Sequence, residues 1–167
     1  MTLTLRQASP DDGRAVYDML QTLDANTNGF TNPVNGMCYD DFRAWLPAVC
    51  ARARQTGLDD AGEVPEITYW LYEGSQPVGY GKIRTMMTDK YRAIGGNVGY
   101  ALAPAARGRG LGKAFLGLLL GECRRLGIAE VLLTIRQTNA PSLAVALANG
   151  GRIEKEGLGR YYVRITP

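Results

Sequence analysis

The seven residues Arg107-Gly108-Arg109-Gly110-Leu111-Gly112-Lys113 stand between an apolar run, Val98 to Leu102, and a long leucine-rich segment. A strand that turns through glycines into a helix leaves its backbone N–H groups pointing outward. The helix N-terminus adds unpaired donors and the positive end of its dipole. Such a junction accepts a pyrophosphate, so the chain is expected to hold a phosphorylated ligand.

Spacing separates the kinds of phosphate loop. The nucleotide-triphosphatase pattern Gly-x-x-x-x-Gly-Lys-[Ser/Thr] places its first glycine on Arg107 and its hydroxyl residue on Ala114, so it fails twice. The dinucleotide pattern Gly-x-Gly-x-x-Gly places its third glycine on Lys113 or on Phe115 and fails as well. The spacing that fits is Arg-x-x-Gly-x-Gly, carried by Arg107, Gly110 and Gly112.

That pattern resembles the acyl-CoA pyrophosphate loop of the GNAT superfamily of N-acyltransferases. Ala103-Pro104-Ala105-Ala106 forms the short Pro-containing link between strand and loop, and Glu130 to Ile135 reads as a buried strand. Asn139-Ala140-Pro141-Ser142, followed by Asn149-Gly150-Gly151, is similar to the second cofactor-side motif of that family. The resemblance covers Asn97 to Arg152. With Gly96-Asn97-Val98-Gly99-Tyr100 and Arg160-Tyr161-Tyr162-Val163, it comes nearest to a group of bacterial predicted acetyltransferases.

The remainder of the chain bounds the reading. Its 167 residues, 46% hydrophobic and 21% charged, suit one domain over 1–167 with a full core. A net charge of +3 gives no basis for nucleic-acid binding. Cys38, Cys50 and Cys123 are scattered and odd in number, which fits reduced thiols in the cytoplasm. The absence of histidine removes every Ser-His, Cys-His and His-metal arrangement, and no clustered carboxylates suggest a metal. No apolar run reaches membrane-spanning length, so no membrane association is expected.

Patterning predicts strands at Leu3–Leu5, Ile67–Glu73, Val78–Arg84, Val98–Leu102, Val131–Ile135, Arg152–Glu156 and Tyr161–Ile165. A helix is expected after a Ser9-Pro10-Asp11-Asp12 cap. A second runs from Tyr39 to Gln55, kinked or split at Pro47. Asn26 to Gly36 reads as a loop. The phosphate helix is expected to bury Leu111, Phe115, Leu118, Leu119 and Leu126 and to stop at Gly127, and a last helix spans Ser142 to Ala148. The order β-α-α-β-β-β-α-β-α-β-β is that of the GNAT acyl-CoA N-acyltransferase fold. The expected class is α/β, with a central mixed sheet splayed between the fourth and fifth strands and helices on both faces.

The resemblance implies acetyl-CoA as co-substrate. Leu102 and Ala103 would give main-chain contacts to its pantetheine, and Arg107, Gly108, Arg109, Gly110, Leu111, Gly112 and Lys113 would hold the pyrophosphate. Asn139 would bond near the pantetheine with help from Ser142, although Asn139 is equally a helix N-cap. Many family members protonate the departing thiolate with a tyrosine that aligns here with Ala146. Tyr161, Tyr162, Tyr100 and Tyr80 are the substitutes. Asn97 stands where the nearest group carries histidine, and it can hydrogen-bond but cannot do acid–base work. Asp89, Glu73 and Glu66 are candidate bases acting through a water.

The expected activity is acetyl transfer to a primary amine of a small molecule or peptide. The acceptor pocket would come from Asn26–Tyr39 and the hairpin Ile67–Arg84. Phe30, Tyr39, Trp45, Trp70, Tyr72, Asp40 and Asp41 would then suit an amine with an apolar part. The alternative is a non-catalytic acyl-CoA sensor or assembly module. A homodimer through the C-terminal strands is expected by resemblance.

Overall fold

The computed structural model describes residues 1–167. Two antiparallel sheets carry the architecture. The first has the order β1-β4-β5-β6, from β1 (Leu3–Gln7), β4 (Glu66–Glu73), β5 (Gln76–Arg84) and β6 (Val98–Leu102). The second has the order β7-β9-β8, from β7 (Val131–Arg136), β8 (Arg152–Gly157) and β9 (Arg160–Ile165). The expected splay between the fourth and fifth major strands falls between β6 and β7, which share no ladder.

Helices cover both faces of the first sheet because β4 is apolar on both. Ile67, Tyr69 and Leu71 point into a core completed by α4 (Leu111–Arg125), α5 (Ala140–Ala148) and the second sheet. Trp70 and Tyr72 alternate into a second core under α1 (Arg14–Thr22) and α2 (Tyr39–Arg52). That period of two with both faces buried explains why large apolar side chains occupy successive positions from Tyr69 to Tyr72.

Several elements depart from expectation for identifiable reasons. Helix α1 begins at Arg14, because Ser9-Pro10-Asp11-Asp12 closes on itself. Asp12 Oδ2 accepts from Ser9 N at 2.8 Å, and Asp12 N donates to Ser9 O at 3.1 Å. Pro47 does not split α2, since Phe42, Leu46 and Cys50 are buried on either side of it. Helix α4 buries Phe115, Leu116, Leu119, Leu120 and Cys123, so its apolar face is rotated away from Leu111 and Leu118. Within the expected loop, Asn26–Thr27 (β2) and Phe30–Thr31 (β3) pair as a small hairpin. Within the expected connection before β6, Asp89–Ala93 forms a short helix, α3. No helix is long and apolar enough to cross a membrane.

One point joins the sheet edges. Asn97 N donates to Leu132 O at 2.8 Å, and the Asn97 side chain accepts from Leu132 N at 2.8 Å while donating to Arg84 O at 3.2 Å. Gly96 brings the chain there with φ +63°, and a Cβ on it would lie 2.2 Å from Leu132 O. Only glycine permits that approach.

Candidate functional site

A single 3₁₀ turn, Pro104–Ala106, leads from β6 into the loop before α4. Gly108 and Gly110 lie at φ +70° and +77°, and Gly110 is the left-handed residue that opens α4. No backbone N–H from Gly108 to Lys113 has a partner in the protein. Cys38 Sγ accepts from Asp41 N at the start of α2, and Asn139 Oδ1 from Ser142 N at the start of α5, whereas α4, like α1 and α3, has no side-chain cap. The space that side chains on Gly108 and Gly110 would enter is empty. The result is a consecutive row of free donors at a helix N-terminus.

The basic side chains of the loop are tied back to the scaffold. Arg107 Nε donates to Leu102 O at 2.9 Å. Arg109 grips Glu73 at two points, 2.7 and 3.0 Å, which holds the Glu73 carboxyl below its usual range. Lys113 is exposed, and its carbonyl accepts from Asn149 Nδ2 at 3.2 Å.

Strand β6 is the free edge of its sheet. Arg84 N donates to Asn97 O and Ala103 N to Val78 O, so Asn97 and Ala103 face β5. By the alternation of an antiparallel ladder, the backbone groups of Val98, Tyr100 and Leu102 face the open side. Ala103 N is thus committed to the sheet, and Leu102 O to Arg107.

Between β6 and β7 opens a cleft of about 710 Å³, measured with its open mouth. It is lined by Val98–Tyr100, Leu133–Arg136, Asn139, Ser142, the β2–β3 hairpin and the side chains of Lys82, Arg84 and Arg160. Asn139 and Ser142 sit at the N-terminal end of α5, whereas Asn149 at its far end meets Lys113. A Cβ on Gly112 would lie 3.4 Å from Val145 Cγ2 in mid-α5 and 3.9 Å from Leu102 Cδ1, so α5 and the end of β6 link the loop to the cleft.

The cleft lining contains no carboxylate. Lys82 points into it from the middle of β5, donating to Thr31 O at 2.7 Å, and desolvation pushes its ammonium down to about 8. Arg84 Nε lies 3.0 Å from Glu66 Oε2 without the alignment of a hydrogen bond, and Arg52 lies 3.5 Å from the same carboxylate. Tyr100 is the one tyrosine in the lining. Its ring meets Phe115 edge-on at 5.6 Å, and burial pushes its hydroxyl up, partly offset by the Ser142 side chain.

The other expected residues sit elsewhere. Tyr162 is buried and donates to Ala93 O at 2.8 Å, and Tyr161 packs half-buried against the core on α4's side. Asn97 is consumed by the joint between the sheets. Tyr80 is buried against Trp70 and Phe30, with its hydroxyl also pushed up by burial. Of the expected aromatic set, only Phe30 lines the cleft. Trp70 and Tyr72 are core, and Asp40 and Asp41 are exposed on the first turn of α2. Glu73 is bound to Arg109, and Asp89 is exposed and paired with Arg92. Lys82, Arg136 and Arg160 were missed by sequence reasoning. The available signal was a lone charge in mid-strand and arginines near two strand ends.

The fold recurs among known proteins. A family model described as an acetyltransferase (GNAT) domain matches residues 2–152. No curated protein matches the sequence. Among solved structures, Mycobacterium smegmatis RimJ in complex with CoA-disulfide is similar at 21% identity and TM-score 0.71, over 98% of this chain and 81% of that one. RimL, a ribosomal L7/L12 alpha-N-protein acetyltransferase in complex with coenzyme A, is similar at 18% identity and TM-score 0.69, over 98% and 92%. Campylobacter jejuni N-acetyltransferase PseH in complex with acetyl coenzyme A is similar at 12% identity and TM-score 0.65, over 99% of both chains. At these identities the likeness is one of fold.

Proposed function

The chain belongs to the GNAT acetyltransferase family, and from that premise we propose that it transfers an acetyl group from acetyl-CoA to a primary amine of a small molecule or peptide by direct attack. The observation that carries this reading is the row of unpartnered N–H groups from Gly108 to Lys113, linked to the cleft by α5 and the end of β6. A pyrophosphate satisfies those donors. The free edge of β6 at Val98 and Tyr100 suits the amides of a pantetheine chain, which would pair as an added strand. Asn139 and Ser142 stand at the cleft end of that path. The reading takes residues 1–167 as one catalytic unit working in the cytoplasm.

Acetyl-CoA supplies the activated acetyl thioester, and this chain's residues manage two protons. Lys82 is the cleft group whose pKa lies nearest neutrality, so its neutral form takes the proton from the incoming ammonium. Tyr100, kept protonated by burial, gives its proton to the departing sulfur. It does from a strand what many relatives do from the helix position held here by the fully buried Ala146. A backbone N–H on the free edge of β6 polarises the thioester carbonyl. The RimL likeness makes a protein α-amine one acceptor worth trying.

The test incubates the protein with acetyl-CoA and a panel of amines and follows release of the CoA thiol. Release that depends on one amine and vanishes in Gly110→Trp supports the transferase. Tight acetyl-CoA binding with no release across the panel replaces it with a sensor, the reading that the tyrosine-to-Ala146 replacement favours.

A further inference from the structure

Arg136 and Arg160 face each other directly across the β7–β9 ladder, so their side chains share one face. Like charges in that position destabilise a sheet. Nothing in the protein neutralises them, because neither guanidinium takes part in an ion pair. Arg160 is only 9% exposed, an uncommon state for an unpaired charge. Both side chains converge at the cleft on the tip of the β2–β3 hairpin. Arg160 Nη2 lies 3.5 Å, and Arg136 Nε 3.7 Å, from the point where a Cβ on Gly29 would sit. On the same hairpin the Thr27 hydroxyl is buried without a partner. Two forked donors and a spare hydroxyl, held together at an energetic cost, fit a group that is missing from the protein itself.

We propose that Arg136 and Arg160 form an oxyanion subsite, and that the acceptor is an amine carrying a carboxylate or phosphate group. The inference rests on the transferase reading for the word acceptor, although the subsite can be tested without turnover. The subsite is separate from the pyrophosphate loop, whose residues do not line the cleft. It also separates the acceptor class from simple cationic amines and polyamines, which meet four cations and no acid there. Arg136 and Arg160 bind the oxyanion, and the amine end reaches toward Lys82 on the neighbouring sheet.

The experiment uses matched pairs. ω-Amino acids of graded length are compared with their amides, and aminoalkyl phosphates with the parent amino alcohols. Thiol release and the rise in Tm on adding each compound are both measured. We expect the charged member of at least one pair to be preferred about tenfold or more in kcat/KM and to be the stabilising one. Arg160→Gln and Arg136→Gln should each remove that preference while leaving acetyl-CoA affinity unchanged, and Arg160→Lys should keep part of it. The pair series also tells carboxylate from phosphate. Equal use of charged and neutral members overturns the subsite while the transferase stands. A preference that survives both glutamine variants overturns it too. If no compound releases thiol, the transferase reading fails, and stabilisation by anionic members that is lost in Arg160→Gln still supports the subsite, whereas no such stabilisation sinks it.

Discussion

The loop before α4 and the cleft offer their hydrogen-bonding groups by opposite means. From Gly108 to Lys113 the donors are backbone, and the charged side chains of Arg107 and Arg109 are anchored to Leu102 and Glu73. In the cleft the backbone offers one strand edge, and the polar groups are mainly side chains, among them Lys82, Tyr100, Arg136 and Arg160. A loop built this way tolerates change in its side chains but not in its glycines. A cleft built this way changes its substrate with single side-chain substitutions and keeps its fold.

The sharpest way to break the contrast is Gly110→Trp. An indole in the empty space before α4 should weaken acetyl-CoA binding at least a hundredfold by calorimetry, with a strain of only about 1–2 kcal/mol from the left-handed backbone. Asn97→Ala attacks the joint instead. It leaves Leu132 N buried without its side-chain acceptor and should cost about 2 kcal/mol. In a chain of this size that is a fall in Tm of roughly 4–8 °C, read by calorimetry or circular dichroism.

Within the cleft, Tyr100→Phe should lower kcat by about tenfold or more and leave acetyl-CoA affinity unchanged. Unchanged kcat would return the proton to solvent. Lys82 makes a signed prediction. Its folded pKa of about 8 lies below the ordinary lysine value of 10.5, so between those values the unfolded chain holds the proton that the folded chain has lost. Stability should rise with pH across that window, and the rise should vanish in Lys82→Met. If Lys82 is the base, kcat/KM should climb with pH to a plateau above about 8 in the wild type. Arg109→Ala is the smallest change. Its pair with Glu73 is open to solvent and screened on the Arg109 side, so stability should barely change, and acetyl-CoA affinity should move little beside the Gly110 effect.

The same contrast explains what could be read from the sequence. The loop was legible because its signal is local: three glycines at fixed spacing between an apolar strand and a leucine-rich helix. The order of major elements was legible for a similar reason, since alternation in β1 and turn residues at Gly74 and Gly127 mark boundaries in place. The cleft was not. Lys82, Arg136 and Arg160 come from different strands of different sheets, and nothing local distinguishes Arg160 from any arginine beside a turn. Lys82 acquires its low pKa from burial in the folded chain, in part beneath the β2–β3 hairpin, which reads as loop in the sequence. The rotation of α4 was missed because Leu111, Leu116, Leu118 and Leu120 are interchangeable on apolarity, and the β5 surface decides among them.

The open edge of β6 carries one more consequence. Hydrogen bonds are what slow the exchange of backbone amides with water, and the amides of Val98 and Tyr100 face no strand. In the free protein they should exchange rapidly although they sit in the middle of the fold. A ligand that pairs with that edge supplies the missing rung between the two sheets. Protection should then appear at Val98 and Tyr100 and spread into β7, so that the substrate completes the hydrogen-bonded framework of the protein that binds it.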